Sequence, residues 1–212
     1  MNLFNENKSM LLKTHSALCK LGNNPFTNKS NTEAVIYIVR DPRNVITSVA
    51  NHYTFSIEKS YDFITDDNQM ITEDKFGTES FGISTVLGSW SKHYKSWKNI
   101  NFAPIIIVKY EDLVNDTQGT LITILNFLQK YIDFSVDHTK IKKVINSCSF
   151  DNLHEMEKTK GFDEAAFSEK LNKKVTFFNL GKKNNWKYIL DGKYEKKITK
   201  AFKSEMKELG YI

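Results

Sequence analysis

With 212 residues, 40% of them hydrophobic and 26% charged, the chain has ordinary globular composition and enough length for one domain with a sizeable core. No apolar run approaches a membrane span, and the opening MNLFNENKSM lacks the apolar core of a signal peptide. The net charge of +5 comes from lysines dispersed among Asp and Glu, which describes a solvated surface and a small anionic ligand better than a nucleic-acid face.

Cys19 and Cys148 are far apart and form no CxxC pair. That argues for a reducing, cytoplasmic setting and against zinc or a disulfide framework. In chain order, Met10-Leu11-Leu12-Lys13-Thr14-His15 reads as a short strand over 10–14 that ends in polar residues. Lys13 and His15 alternate and share a face at the strand's carboxyl end, where open α/β sheets bind ligands. They read as a cation and a base on one ligand, or as ordinary polar strand-end residues. Gly22-Asn23-Asn24-Pro25 is a turn cluster.

Val35 to Val39 is an unbroken apolar run, the signature of a strand buried on both faces. Asp41 is placed to cap a helix, and Pro42 suits its first position. Val45, Ile46 and Val49 then recur at helical spacing to about Tyr53, while Asn44 and Ser48, four apart, share another face. A strand, a tight turn and a helix N-terminus beside Arg40 make an anion site. The same charges, Arg40, Asp41 and Arg43, also read as one structural salt-bridge cluster.

Residues 54–82 show no sustained periodicity and mix Tyr61, Phe63, Phe76 and Phe81 with Asp62, Asp66, Asp67, Glu73 and Asp74. From Ser84 to Trp97 the spacing of Val86, Leu87, Trp90, Tyr94 and Trp97 predicts a helix, with both tryptophans as packing residues. His93 lies off that stripe and receives no role. Pro104 to Val108 is a second buried strand. Helices are expected over Thr117–Tyr131, with Leu121, Ile124, Leu125 and Leu128 on one face, from Ile141, and over Tyr194–Leu209, with Ile198, Phe202, Met206 and Leu209 inward. His154 to Thr176 is charged and lacks an apolar stripe. The fold class is α/β, a parallel central sheet of residues 10–14, 35–39 and 104–109 flanked by helices.

These stretches, in this order, resemble the cytosolic sulfotransferases that use 3′-phosphoadenosine 5′-phosphosulfate (PAPS). Lys13-Thr14-His15 is similar to their Lys-Thr-His strand end, and Arg40 to Ser48 to the stretch that grips the ribose phosphate. GSWSKHYKSW resembles their Gly-Ser-Trp…Trp helix, Tyr110-Glu111-Asp112-Leu113 their Tyr-Glu-Asp-Leu, and Cys148-Ser149-Phe150 their Thr-Ser-Phe with Cys in place of Thr. Phe177 to Lys187 resembles their C-terminal signature, with Asn179 and Leu180 where Arg and Lys are usual.

The resemblance implies a P-loop NTPase-like sulfotransferase fold in a single domain, 1–212. It implies PAPS as co-substrate, a hydroxyl or amine small-molecule acceptor, no metal, and no nucleic-acid or membrane partner. His15 would be the general base and Lys13 a stabiliser of the transferring group. Arg40, Ser48, Tyr110, Ser149, Phe150, Gly181 and Lys182 would bind the nucleotide, with Phe150 stacked on adenine. Residues 54–82 would help form the acceptor side, and 154–176 a lid. Asp191, Gly192 and Lys196 occupy the expected Thr, Val and Glu of the family's dimer motif, so that mode of dimerisation is not expected.

The family's Pro-Lys-Ser-Gly-Thr-Thr-like loop has no counterpart before Lys13, where twelve residues contain no Gly, and no GxxxxGK[ST] occurs elsewhere. The sequence is therefore expected to begin after the family's first strand–loop–helix unit. The alternative function is an inactive module that keeps the nucleotide site without turnover.

Overall fold

The computed structural model describes residues 9–72, 84–168 and 170–212. The elements in order are the hairpin β1 (Lys20–Leu21) and β2 (Asn24–Pro25), the strand β3 (Val35–Val39), and helices α1 (Pro42–His52) and α2 (Ile57–Thr65). Next come β4 (Met70–Thr72), β5 (Ser84–Val86), α3 (Trp90–Lys98), β6 (Ile105–Lys109), α4 (Tyr110–Asn115), α5 (Thr117–Leu128) and α6 (His138–Ser147). The chain closes with α7 (Phe150–Lys160), the short pair β7 (Phe167–Ser168) and β8 (Lys173–Lys174), a 3-10 turn at Gly181–Lys183, and helices α8 (Trp186–Ile189), α9 (Gly192–Ala201) and α10 (Lys203–Glu208).

The two unbroken apolar runs pair as expected. β3 and β6 are parallel, in register from Val35 opposite Ile105 to Val39 opposite Lys109. Pro42 opens α1 and Asp41 caps it, accepting from the Arg43 N–H at 2.9 Å. The α1 stripe meets α2, α9 and α10 in a core of Ile46, Ile64, Ile198, Phe202 and Met206, with Val45, Val49 and Trp90 packed against it. Trp97 is buried too, so both tryptophans pack as the sequence predicts. α5 packs against β6 and buries Ile124.

Six expectations need correction. The strand over 35–39 is not buried on both faces: only Val39 is buried and Ile38 is 55% exposed, because β3 has β6 as its one partner strand among the described residues. Residues 10–14 form no strand; Met10, Leu11 and Leu12 are 54%, 83% and 74% exposed. Local apolarity creates no ladder without a partner strand, and the chain beyond is pinned instead by α3 and β5. Trp97 Nε1 donates to the Ser16 carbonyl at 2.9 Å, the Leu18 N–H to Ser96 Oγ at 3.0 Å, and the Ala17 N–H to the Val86 carbonyl at 2.7 Å.

The helix expected from Ser84 begins only at Trp90. Residues 84–86 pair with β4, Gly88 turns the chain at φ +65°, and Ser89 caps α3 through the Lys92 N–H.

Residues 54–82 contain a regular helix, α2, capped by Ser56. Its Ile57, Ser60, Tyr61 and Ile64 recur at helical spacing, a signal diluted by the surrounding acids. Phe76, Phe81, Glu73 and Asp74 lie outside the described residues.

The charged stretch from His154 is helical to Lys160, with lysines in the last turn, and Gly161 ends it at φ +75°. The last helix is interrupted at Phe202, which keeps Ile198, Phe202 and Met206 inward.

Candidate functional site

The turn after β3 sorts its charges into two groups. Asp41 and Arg43 form a buried bidentate pair at 2.7–3.1 Å. Arg43 also donates to the Tyr211 carbonyl at 2.9 Å and lies 4.0 Å from the Trp186 ring. That pair is structural. Arg40 turns elsewhere: its Nη1 donates to Ser48 Oγ at 3.0 Å, and its guanidinium sits 4.3 Å over the Tyr110 ring. Its Nε is buried with no hydrogen-bond partner among the described residues. Burial pulls the Arg40 pKa below its ordinary value, against the upward pull of Tyr110, Glu111 and Asp41. A desolvated cation with an unused donor at a helix N-terminus is suited to an anion.

The polar face of α1 is lined by the segment from Thr176 to Trp186. Asn51 Nδ2 reaches the Thr176 carbonyl, Asn179 Nδ2 donates to Asn51 Oδ1 at 2.7 Å, and Asn184 Nδ2 donates to Ser48 Oγ at 2.8 Å. Thr47 Oγ1 donates to Asn184 Oδ1, and the Trp186 N–H to Asn44 Oδ1 at 2.9 Å. The shared face of Asn44 and Ser48 is therefore real, and it docks the C-terminal signature. Asparagines provide the contacts here, so Arg40 supplies the positive charge at Ser48.

Ser149 caps α7, and Phe150 is its first residue. The Phe150 ring stacks on His154 at 5.8 Å and 9° and lies beneath Gly181, where an added Cβ would come within 2.8 Å of it. Gly181 also has φ +52°, so both the contact and the backbone require glycine. Glu157 holds the adjoining turn by accepting from the Phe177 and Phe178 N–H groups at 2.6 and 2.9 Å. His154 Nδ1 donates to the Phe178 carbonyl at 2.7 Å. Lys182, beside Gly181, is exposed. Through Asn184, this cluster joins the Arg40–Ser48 cluster.

Lys13 and His15 form the remaining cluster. Lys13 Nζ bonds both oxygens of Glu164 at 2.5 and 2.7 Å, and His15 Nε2 stands 3.9 Å from Glu164 Oε2. Both side chains lie against the chain's own Glu164 carboxylate, from a coil and not a strand. The histidine's backbone is fixed by His93, whose Nε2 lies 3.1 Å from the His15 carbonyl and whose Nδ1 lies 2.9 Å from Tyr37 Oη. A carbonyl only accepts, so Nε2 carries the proton and Nδ1 accepts from Tyr37. Burial lowers the His93 pKa and raises that of Tyr37, which keeps both neutral in this arrangement.

His52, four residues after Ser48 on α1, edges the Phe177 ring at 5.8 Å. Burial is the main cause lowering its pKa, with Glu164 acting to raise it and His15 to lower it. His52, His93 and Glu164 were missed in the sequence. Lys13–Glu164 is a long-range pair between exposed side chains and is worth little stability. Glu164→Gln is accordingly expected to leave the urea midpoint unchanged. It should also tighten sulfate binding about 2–5-fold, because a competing carboxylate is gone. Weaker sulfate binding in calorimetry would make Glu164 part of the ligand site instead.

The Sulfotransferase domain family matches residues 2–210, and the chain belongs to that family. Amine sulfotransferase of Oryctolagus cuniculus is 23% identical over 193 residues, 87% of this chain and 58% of that protein. Sulfotransferase 2A2 of Rattus norvegicus is 25% identical over 205 residues, 92% of this chain and 63% of that protein. The chain thus spans less than two thirds of these relatives' length. The crystal structure of mouse sulfotransferase SULT7A1 complexed with PAP shares the fold. Its TM-score is 0.56 at 19% identity, over 84% of this chain and 59% of that one. The α/β sulfotransferase fold is therefore established. No helix among the described residues is long and apolar enough to cross a membrane.

Proposed function

We propose that this chain carries the acceptor-side and ribose-phosphate-side machinery for moving a sulfuryl group from PAPS to a small-molecule hydroxyl or amine. The observation that carries the reading is Arg40: a half-buried guanidinium, bonded to Ser48 on α1, with Nε left without a partner among the described residues. That geometry suits a phosphate. In this reading Arg40 and Ser48 hold the phosphate on the ribose. Tyr110, Ser149, Phe150, Gly181 and Lys182 surround the nucleoside.

His15 takes the acceptor's proton while the acceptor oxygen or nitrogen attacks sulfur in line. The bond from sulfur to the 5′-phosphate oxygen breaks, and adenosine 3′,5′-bisphosphate leaves. Lys13 stabilises charge on the transferring group, and little covalent work falls to the protein, as in phosphoryl transfer. Asn179 and Leu180, where the family has cations, leave the phosphate grip resting on Arg40 more heavily.

A second reading is favoured by the contact of Lys13 with Glu164: a module that binds the desulfated nucleotide without turnover. Incubation with PAPS and a panel of phenols, alcohols and amines separates the two. Sulfated product supports the enzyme, and bisphosphate binding without product supports the module.

Arg40→Ala is expected to weaken adenosine 3′,5′-bisphosphate binding by about 1.5–3 kcal/mol, the scale of a hydrogen bond to a charged group. Calorimetry on both proteins measures it. An unchanged affinity would reduce Arg40 to a structural cation packed on Tyr110.

A further inference from the structure

Lysines that look dispersed along the sequence gather on one face of the C-terminal helices. Lys193, Lys196, Lys197 and Lys200 follow i, i+3, i+4, i+7 spacing on α9, and Lys203 and Lys207 continue it on α10 past the break at Phe202. All six are exposed, while Ile198, Phe202 and Met206 turn into the core. The acids of the same helices are mostly engaged elsewhere. Glu205 pairs with Lys95 and Glu208 with Lys98, both on α3. Asp191 caps α9 through the Lys193 N–H at 2.7 Å, and Glu195 is half-buried. None of the six lysines forms an ion pair among the described residues; Lys193 and Lys197 lie 5.7 and 5.2 Å from the Tyr194 ring. Immediately before this stripe, α8 presents Tyr188, 87% exposed, and Ile189, 41% exposed.

We infer that this face docks on an anionic phospholipid surface, with Tyr188 and Ile189 entering the headgroup layer beside the lysines. Each lysine near such a surface is attracted to the negative headgroups, and six on one face act together. The boundary between headgroups and acyl chains accommodates an exposed aromatic next to an aliphatic side chain, which has little to gain from a phosphate backbone. The stripe also holds no arginine, the residue suited to bidentate contacts with nucleic-acid phosphates. A protein partner fits less well, because lysine is depleted from protein interfaces, and a second copy would set the same charges against each other. Lys196, where the family's dimer motif has Glu, belongs to this stripe. The inference goes beyond the sulfuryl-transfer reading and does not rest on it, and it departs from the lack of a membrane partner that the family resemblance implies.

The test is co-sedimentation of the full chain with vesicles at about 0.1 M salt. Phosphatidylcholine vesicles containing about 30% phosphatidylserine are compared with pure phosphatidylcholine. The anionic vesicles are expected to bind at least about tenfold more tightly, a preference that falls away near about 1 M salt. The triple variant Lys196→Gln, Lys200→Gln, Lys203→Gln should weaken that binding about 10²-fold, at about fivefold per lysine. Tyr188→Ser with Ile189→Ser should weaken it about tenfold. A duplex DNA oligonucleotide of arbitrary sequence should bind more weakly than the anionic vesicles and be indifferent to the Tyr188 and Ile189 substitutions. Urea midpoints and adenosine bisphosphate affinity should be unchanged in both variants, which separates lost docking from unfolding and from the nucleotide reading. Equal binding to the two kinds of vesicle, or anionic-vesicle binding that either variant leaves intact, would overturn the inference. So would tighter binding to the DNA than to the vesicles.

Discussion

On the proposed transfer of a sulfuryl group from PAPS, His15→Ala is expected to lower the rate by about 10²–10⁴-fold, the usual worth of a positioned general base. The loss should come from chemistry and not from unfolding. The imidazole is 64% exposed, and truncation of such a side chain usually moves stability by within about 0.5 kcal/mol. The contact that positions this part of the chain uses the His15 carbonyl, which accepts from His93 and survives the substitution. Product formation with a panel of phenols, alcohols and amines reads the rate, and the urea midpoint reads stability. Transfer that continues at the wild-type rate in the alanine protein would remove His15 from the mechanism.

Asp41→Ala should have the largest effect on stability. The Asp41 carboxylate does two things at once: it caps α1 and pairs with Arg43 in a site where both residues are buried. Removing it leaves a buried guanidinium with, among the described residues, the Tyr211 carbonyl and the Trp186 ring for company. Breaking a buried pair from one side costs about 3–5 kcal/mol, most of it the stranded charge. Asp41→Asn keeps the cap and loses the charge, so it should fall between wild type and alanine. Urea unfolding measures both. A loss under about 1 kcal/mol in the alanine protein would mean that water reaches Arg43 and the pair is effectively a surface one. Because α1 carries Ser48, the destabilised protein should also bind nucleotide less well.

The parallel pair was legible because Val35–Val39 and Ile105–Val108 each run apolar without a break, β-branched at every position but Tyr37, a composition that suits parallel strands. The start of α1 was legible because Asp-Pro combines a cap with a fixed φ. Met10 to Leu12 looked similar over a shorter stretch and failed, since a strand needs a neighbour that its own residues do not announce. The helix at Ile57–Thr65 was readable from Ser56 and from the spacing of Ile57, Ser60, Tyr61 and Ile64, but the dense acids and aromatics around it obscured that spacing.

The site was legible where family motifs run along the chain, as from Arg40 to Ser48, a separation of 8 residues. It was not legible where chemistry depends on distant partners. His93 supports His15 across 78 residues, and Glu164 meets Lys13 across 151. Neither has a local pattern that marks it, and only folding brings them together. The same holds for Asn179 and Asn184: the sequence marks the absence of the family's cations, while the amide contacts along α1 that stand in their place arise from docking.

Competitive calorimetry with adenosine 3′,5′-bisphosphate and ATP tests the nucleotide site most directly, because the two share adenosine and differ in where the phosphates sit. With the ribose phosphate gripped by Arg40 and Ser48, the bisphosphate should bind at least about tenfold more tightly than ATP, and Arg40→Ala should erase most of that difference. Equal or tighter binding of ATP, unaffected by Arg40→Ala, would contradict the assignment of this cleft to the ribose phosphate.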